Sequence, residues 1–153
     1  MKITDMLKPE FVREELGGGS KKDVLAELAG VFAHAGVDLD PEETLRVLLE
    51  RESLGSTGIG EGVAIPHGKL ADLKEMVIAF GRSTAGVDFD AMDNKPAYLF
   101  FLLMAPENSA GLHLKVLARL SRMMKDPDFR AKLLAAKDRD DLYAVISEKD
   151  DVI

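Results

Sequence analysis

The stretch GSTGIGEGVAIPHGK, Gly55 to Lys69, sets His67 at the end of a loop that carries Gly55, Gly58, Gly60 and Gly62. Successive backbone N–H groups in such a loop can form a concavity that holds an anion. Imidazole is a nitrogen nucleophile, mostly neutral near pH 7. A nucleophile beside an anion cradle suits phosphoryl transfer, with donors placed for the equatorial oxygens. The plainer role for His67 is that of a polar residue closing a strand-to-loop corner. Its position alone leaves both open.

Other chemistries fit less well. Gly68-Lys69 is followed by Leu70, so the phosphate-loop pattern G-x-x-x-x-G-K-[ST] fails. The dinucleotide pattern G-x-G-x-x-G ends on Val63 if begun at Gly58 and on Ile65 if begun at Gly60. His34, His67 and His113 share no metal-ligand spacing, and there is no cysteine, so no metal site is expected. Ser56, His67 and Asp72 lack the G-x-S-x-G elbow of a hydrolase. His34 precedes Gly36 and reads as a residue of a helix's last turn, near its final carbonyls. His113 reads either as a satisfied member of a core-facing stripe or as a group at an anion-binding helix N-terminus. Arg51 is either a solvated helix end or a guanidinium held beside a phosphate.

Elements to position these residues are legible around them. Ser20 to Asp23 reads as a capping box, and Val24, Leu25, Leu28, Val31, Phe32 and Ala35 follow at helical spacing until Gly36. Asp40-Pro41 opens a second helix with Leu45, Leu48 and Leu49 on one face, ending near Arg51 or Glu52. Met76–Phe80 and the unbroken apolar run Ala97–Met104 read as strands, the second buried on both faces. Val63–Ile65 and Val12–Leu16 are further strand candidates. Three helices are expected at the end of the chain. They begin near Ser109 (with Leu112, Val116, Leu117, Leu120 and Met124 along one face), at Asp126-Pro127, and at Asp138. Helices at both ends with strands between them predict an α/β sandwich.

The chain has 153 residues, 46% hydrophobic and 31% charged, which fits one globular domain. A net charge of -7 argues against a nucleic-acid binder and allows a basic protein partner. The N-terminus lacks the apolar core of a signal peptide. AYLFFLLMAP, the longest apolar run, is about half the length of a membrane span. A cytoplasmic protein with no membrane insertion is expected.

RESLGSTGIGEGVAIPHGKL resembles the phosphohistidine loop of enzyme IIA, fructose/mannitol type, of the bacterial phosphoenolpyruvate phosphotransferase system (PTS). STGIG followed by AIPHGK looks most like the nitrogen-regulatory branch, IIA-Ntr. APENSAGLHLKVLARLSRMM and LLAAKDRDDLYAVI also fit, so the resemblance spans nearly the whole chain. It implies one domain over residues 1–153, with a mixed β-sheet between layers of α-helices. It implies His67 as phosphoacceptor, with His113 and Arg51 as active-site partners. Ser56, Thr57, Gly58 and Gly60 are expected to bind the phosphoryl group, and no cofactor is expected. An HPr-like phosphocarrier protein is the implied donor. The implied receivers are regulatory target proteins or, in the sugar-transport alternative, a IIB domain. With no IIB or IIC segment beside it, the expectation leans to regulation. A non-enzymatic binding module that kept the fold and lost the relay is the rival of another class.

Overall fold

A computed structural model describes residues 1–153. Two short 3-10 turns, Ile3–Asp5 and Pro9–Phe11, lead into strand β1, Val12–Arg13. Helices α1, Lys21–His34, and α2, Pro41–Ser53, follow. Three short strands come next: β2, Gly58–Gly60; β3, Val63–Ala64; and β4, His67–Leu70. The long strands β5, Val77–Val87, and β6, Ala97–Pro106, form the middle of the sheet. Helices α3, Ala110–Met124, α4, Pro127–Ala135, and α5, Arg139–Val152, complete the chain.

The helix starts are set locally. The side chains of Ser20, Asp40, Asp126 and Asp138 each accept from a backbone N–H in the first turn, and prolines open α2 and α4. On α3 the buried stripe is His113, Val116, Leu120, Met123 and Met124. Leu112, expected on that stripe, is exposed. The helix turns His113 inward in its place.

The sheet is mixed. β5 and β6 are antiparallel, β1 joins β5 in parallel, and β3 and β4 both run parallel to the far edge of β6. α1 lies against β5 and α2 against β4, while α3 and α4 lie against β6 and α5 against β1. A single core cluster of 41 buried residues runs through the molecule, so it has no internal division. This is the expected sandwich.

Three details differ from the expectations. First, β5 continues well past Phe80, through the polar residues Arg82, Ser83 and Thr84. Arg82 is buried there because its guanidinium donates to Leu133 O at 2.9 Å and Ala136 O at 2.7 Å, at the C-terminal end of α4. Second, the glycine loop contains a hairpin. Gly60 pairs with Val63, and Glu61 and Gly62, both at positive φ, form the two-residue turn. Third, His67 opens strand β4, and the register of β3 along β6 continues across Ile65-Pro66 into β4. Gly68 lets α2 close on this strand, since a Cβ there would lie 2.6 Å from Val47 Cγ1.

Candidate active site

His67 lies on a strand at the sheet edge, between the end of α2 and the start of α3. The break at Pro66 governs its ring. The Ile65 N–H turns away to Thr57 O at 3.0 Å. The Ile65 carbonyl faces His67 Nδ1 at 2.9 Å. A carbonyl can only accept, so Nδ1 carries the proton and Nε2 keeps the lone pair. Burial is the main force holding the His67 pKa below the usual histidine value; the Ile65 carbonyl opposes it, and the nearby Arg51 charge adds to it. The ring is therefore neutral near pH 7, with Nε2 as its nucleophilic nitrogen.

His113 sits in the first turn of α3, 6% exposed, with no hydrogen-bond partner for Nε2. Burial first, then the His67 and Lys69 charges, push its pKa down to about 4. A buried polar atom left unpaired costs about 1–3 kcal/mol, so a group that pairs with it would relieve that cost. Ser109 does not cap the helix: its hydroxyl donates to Pro106 O at 2.5 Å. The helix N-terminus thus presents uncapped backbone N–H groups beside His113.

Arg51, in the last turn of α2, donates to Gly55 O at 2.9 Å and has no carboxylate within ion-pair distance. The neighbouring Arg46 is different, since it pairs with Glu43 at 2.5 Å and Glu50 at 2.9 Å. Arg51, His67 and His113 line one cleft of about 610 Å³, together with Arg46, Lys69 and Glu107. The structure therefore brings together the three residues named as an acceptor and its partners.

It does not bring Ser56, Thr57, Gly58 and Gly60 to that cleft. The Thr57 N–H donates to Glu52 Oε1 at 3.1 Å, and the Gly58 N–H to Ser56 Oγ at 3.0 Å. The Ser56 hydroxyl donates to Phe89 O at 2.6 Å. Gly60 lies at a separate depression with Ser121 and Arg130. Gly58 and Gly60 serve the hairpin, and the Thr57 and Gly58 N–H groups are already paired within the protein. His34 lies at the end of α1, away from the cleft. No group of three or more potential metal ligands converges anywhere.

Two residues of this neighbourhood were not singled out from the sequence. Lys69 lines the cleft with no carboxylate in ion-pair range. Strand alternation from His67 would have placed it there, had β4 been recognised. Glu52 underlies the loop and carries no local sign of doing so.

The family model of the phosphoenolpyruvate-dependent sugar phosphotransferase system, EIIA 2, matches residues 5–149. The chain belongs to the EIIA 2 family. Members of this family are phosphotransferase components. The Nitrogen regulatory protein of Bradyrhizobium diazoefficiens is 43% identical to this EIIA 2 chain over 147 residues, 96% of this chain and 95% of that protein. The PTS system fructose-specific EIIABC component of Bacillus subtilis is 39% identical over 98% of this chain, which spans 24% of that larger protein. The solved structure of the Nitrogen Regulatory Protein IIA-Ntr from Neisseria meningitidis superposes with a TM-score of 0.88 at 35% identity, covering 94% of this chain and 98% of that one. No helix of this EIIA 2 chain is long and apolar enough to cross a membrane.

Proposed function

We propose that this EIIA 2 protein is a phosphocarrier whose acceptor is His67. The observation that carries the reading is the Nδ1–H bond to Ile65 O, which leaves Nε2 as the free nitrogen in a cleft shared with Arg51 and His113. A phosphorylated HPr-like protein presents its phosphoryl group in line. The His67 Nε2–P bond forms as the donor's N–P bond breaks, and the donor's imidazole leaves with that electron pair. The phosphorylated His67 ring keeps its Nδ1 proton, and the Ile65 carbonyl stabilises the positive charge gained there. Arg51 offers a fork of N–H donors to the phosphoryl oxygens, and His113 Nε2 offers another in its N–H tautomer.

The docking face suits a protein donor. Leu54 and Leu114, 82% and 70% exposed, flank the cleft and give a partner apolar surface beside the reacting nitrogen. The overall charge of -7 favours approach by a basic protein.

Phosphorylation adds about 1.5 to 2 negative charges near pH 7, by analogy with phosphoserine, and so changes what this face binds. The end-to-end likeness to a Nitrogen regulatory protein supports a regulatory output. The likeness to a fructose-specific component supports the second reading, in which the phosphoryl group passes to a IIB domain. Mixing the protein with phosphoenolpyruvate, enzyme I and HPr tests the carrier role. An acid-labile mass gain of one phosphate is expected. A protein that gains none is a binding module without the relay.

A further inference from the structure

Glu52 is the residue before Arg51's helix ends its last turn, and its carboxylate points away from the cleft into the protein. The side chain is 5% exposed and lies 2.7 Å from Lys21 Nζ, at the start of α1. Its two oxygens also receive the N–H and the hydroxyl of Thr57. A near-buried carboxylate holding three donors has little freedom, and breaking such a set is costly because it leaves charge unpaired.

What Thr57 does next connects this cluster to the chemistry. Its carbonyl accepts from the Ile65 N–H at 3.0 Å. The Ile65 carbonyl, on the other side of the same residue, accepts from His67 Nδ1 at 2.9 Å. The chain of contacts therefore runs from Lys21 through Glu52, Thr57 and Ile65 to the His67 ring. The turn that Glu52 closes also holds Arg51: the Gly55 N–H donates to Glu52 O at 3.1 Å, and Gly55 O accepts from Arg51 at 2.9 Å. Glu52 thus reaches both groups, the histidine through its carboxylate and Thr57, the arginine through its main-chain carbonyl and Gly55.

We infer that Glu52 is a positioning residue for phosphoryl transfer, acting through Thr57 and Ile65 to keep the proton of His67 on Nδ1 and Nε2 free in the cleft. This rests on the reading of His67 as the acceptor. Reacting groups displaced by about 1 Å lose roughly 10²-fold in rate, so a loosened Ile65 carbonyl is enough to matter.

The test combines two readouts. Nitrogen-15 NMR at pH 8, where His67 is neutral, reports which ring nitrogen carries the proton. Phosphate uptake from phosphorylated HPr reports the rate. The wild-type protein should show the Nδ1–H tautomer. Glu52→Ala should show a mixture of tautomers and uptake slowed roughly 10- to 100-fold. Glu52→Gln, which still accepts from the Thr57 N–H, should fall between the two. Thr57→Val, which removes one hydroxyl and little volume, should move the tautomer in the same direction and decides the matter if Glu52→Ala does not fold. Wild-type tautomer ratios in the folded variants would overturn the role of Glu52. A wild-type protein that takes up no phosphate, with the tautomer shift still present in the variants, would instead overturn the carrier reading alone.

Discussion

The rings of His67 and His113 meet edge to face, with centroids 5.5 Å apart and planes at 88°. Two imidazoles this close disfavour a second positive charge, and burial disfavours the first. Burial is the main reason that both pKa values lie below the usual histidine value; the Arg51 charge adds to it at His67, and the His67 and Lys69 charges add to it at His113. The pair is neutral at physiological pH, which suits the proposed roles of one ring that attacks and another that donates. His67 has its Nδ1 fixed on a carbonyl, whereas His113 has an unpartnered Nε2. The proposed division of roles rests on those partners.

His67→Ala should take up no phosphate in the enzyme I and HPr relay, because His113 lies deeper and has no comparable bond fixing a free nitrogen. The fold should survive, since the His67 ring is only partly enclosed at a sheet edge. Mass spectrometry of the variant after the relay checks this. Phosphate on the variant would remove His67 from the acceptor role. In the wild-type protein the acid limb of the uptake profile should lie below the pKa of a free histidine, as the lowered pKa keeps the ring neutral to lower pH.

His113→Ala should still accept phosphate, but about 10² to 10³ times more slowly, the usual cost of losing one preorganised donor. Quenched-flow measurement in both directions checks this. A rate equal to wild type would return His113 to the role of a core-stripe residue.

Arg51→Lys should keep the fold and lose much of the rate, since lysine replaces a rigid fork with a point charge on a flexible stem. Arg46 is a poor control because it lines the same cleft. Arg139, on α5 and paired with Asp140, is the better one. Charge is conserved in both substitutions, so steering of the partner is unchanged. Equal rates for Arg51→Lys and Arg139→Lys would make Arg51 a solvated helix end.

His113 should also make stability depend on pH. Its pKa is depressed in the folded state to about 4, so the unfolded chain binds the proton more tightly. Its neutral burial is tolerated fully above the unfolded value near 6.5. Stability then falls as pH drops from there toward 4, by on the order of 3 kcal/mol from this group. Urea unfolding of wild type and His113→Gln at pH 7.5 and pH 4.5 checks the sign: the variant should lose less stability between the two. An equal loss would mean that His113 titrates alike in both states.

Asp150 supplies a test of the scaffold away from the cleft. It is buried on α5, and it accepts from the Thr4 N–H at 3.0 Å and from Arg119 Nε at 2.9 Å. Burial pushes its carboxyl pKa up, but the backbone donors and Arg119 outweigh that and hold it below the usual range. Asp150→Ala would take away the carboxylate partner of Arg119, leaving it only the carbonyl of residue 150, and should cost about 3–5 kcal/mol. Chemical denaturation checks the loss. Phosphate uptake by the folded fraction should be unchanged.

The helices were readable because their signals are local. Ser20, Asp40, Asp126 and Asp138 each act within their own first turn, and the apolar spacing behind them needs no knowledge of the rest of the chain. The same holds for the run Ala97–Met104, whose lack of alternation marks a strand covered on both faces. The motif around His67 was distinctive enough to point to the family, and His67, His113 and Arg51, singled out from the sequence, line one cleft. The glycines beside it were ambiguous, because a hairpin turn and an anion cradle both call for positive φ. Only pairing of Gly60 with Val63 decided for the hairpin. His67 likewise looked like a corner residue until β6 supplied Leu103 as its partner, a strand some thirty residues further along the chain. The meeting of α2's last turn, β4 and α3's first turn in one cleft depends on such long-range pairing, which no local pattern encodes. For the same reason Glu52 carried no signal: its work is defined by Lys21, Thr57 and Ile65, which come together only when the sheet and α1 have closed around it.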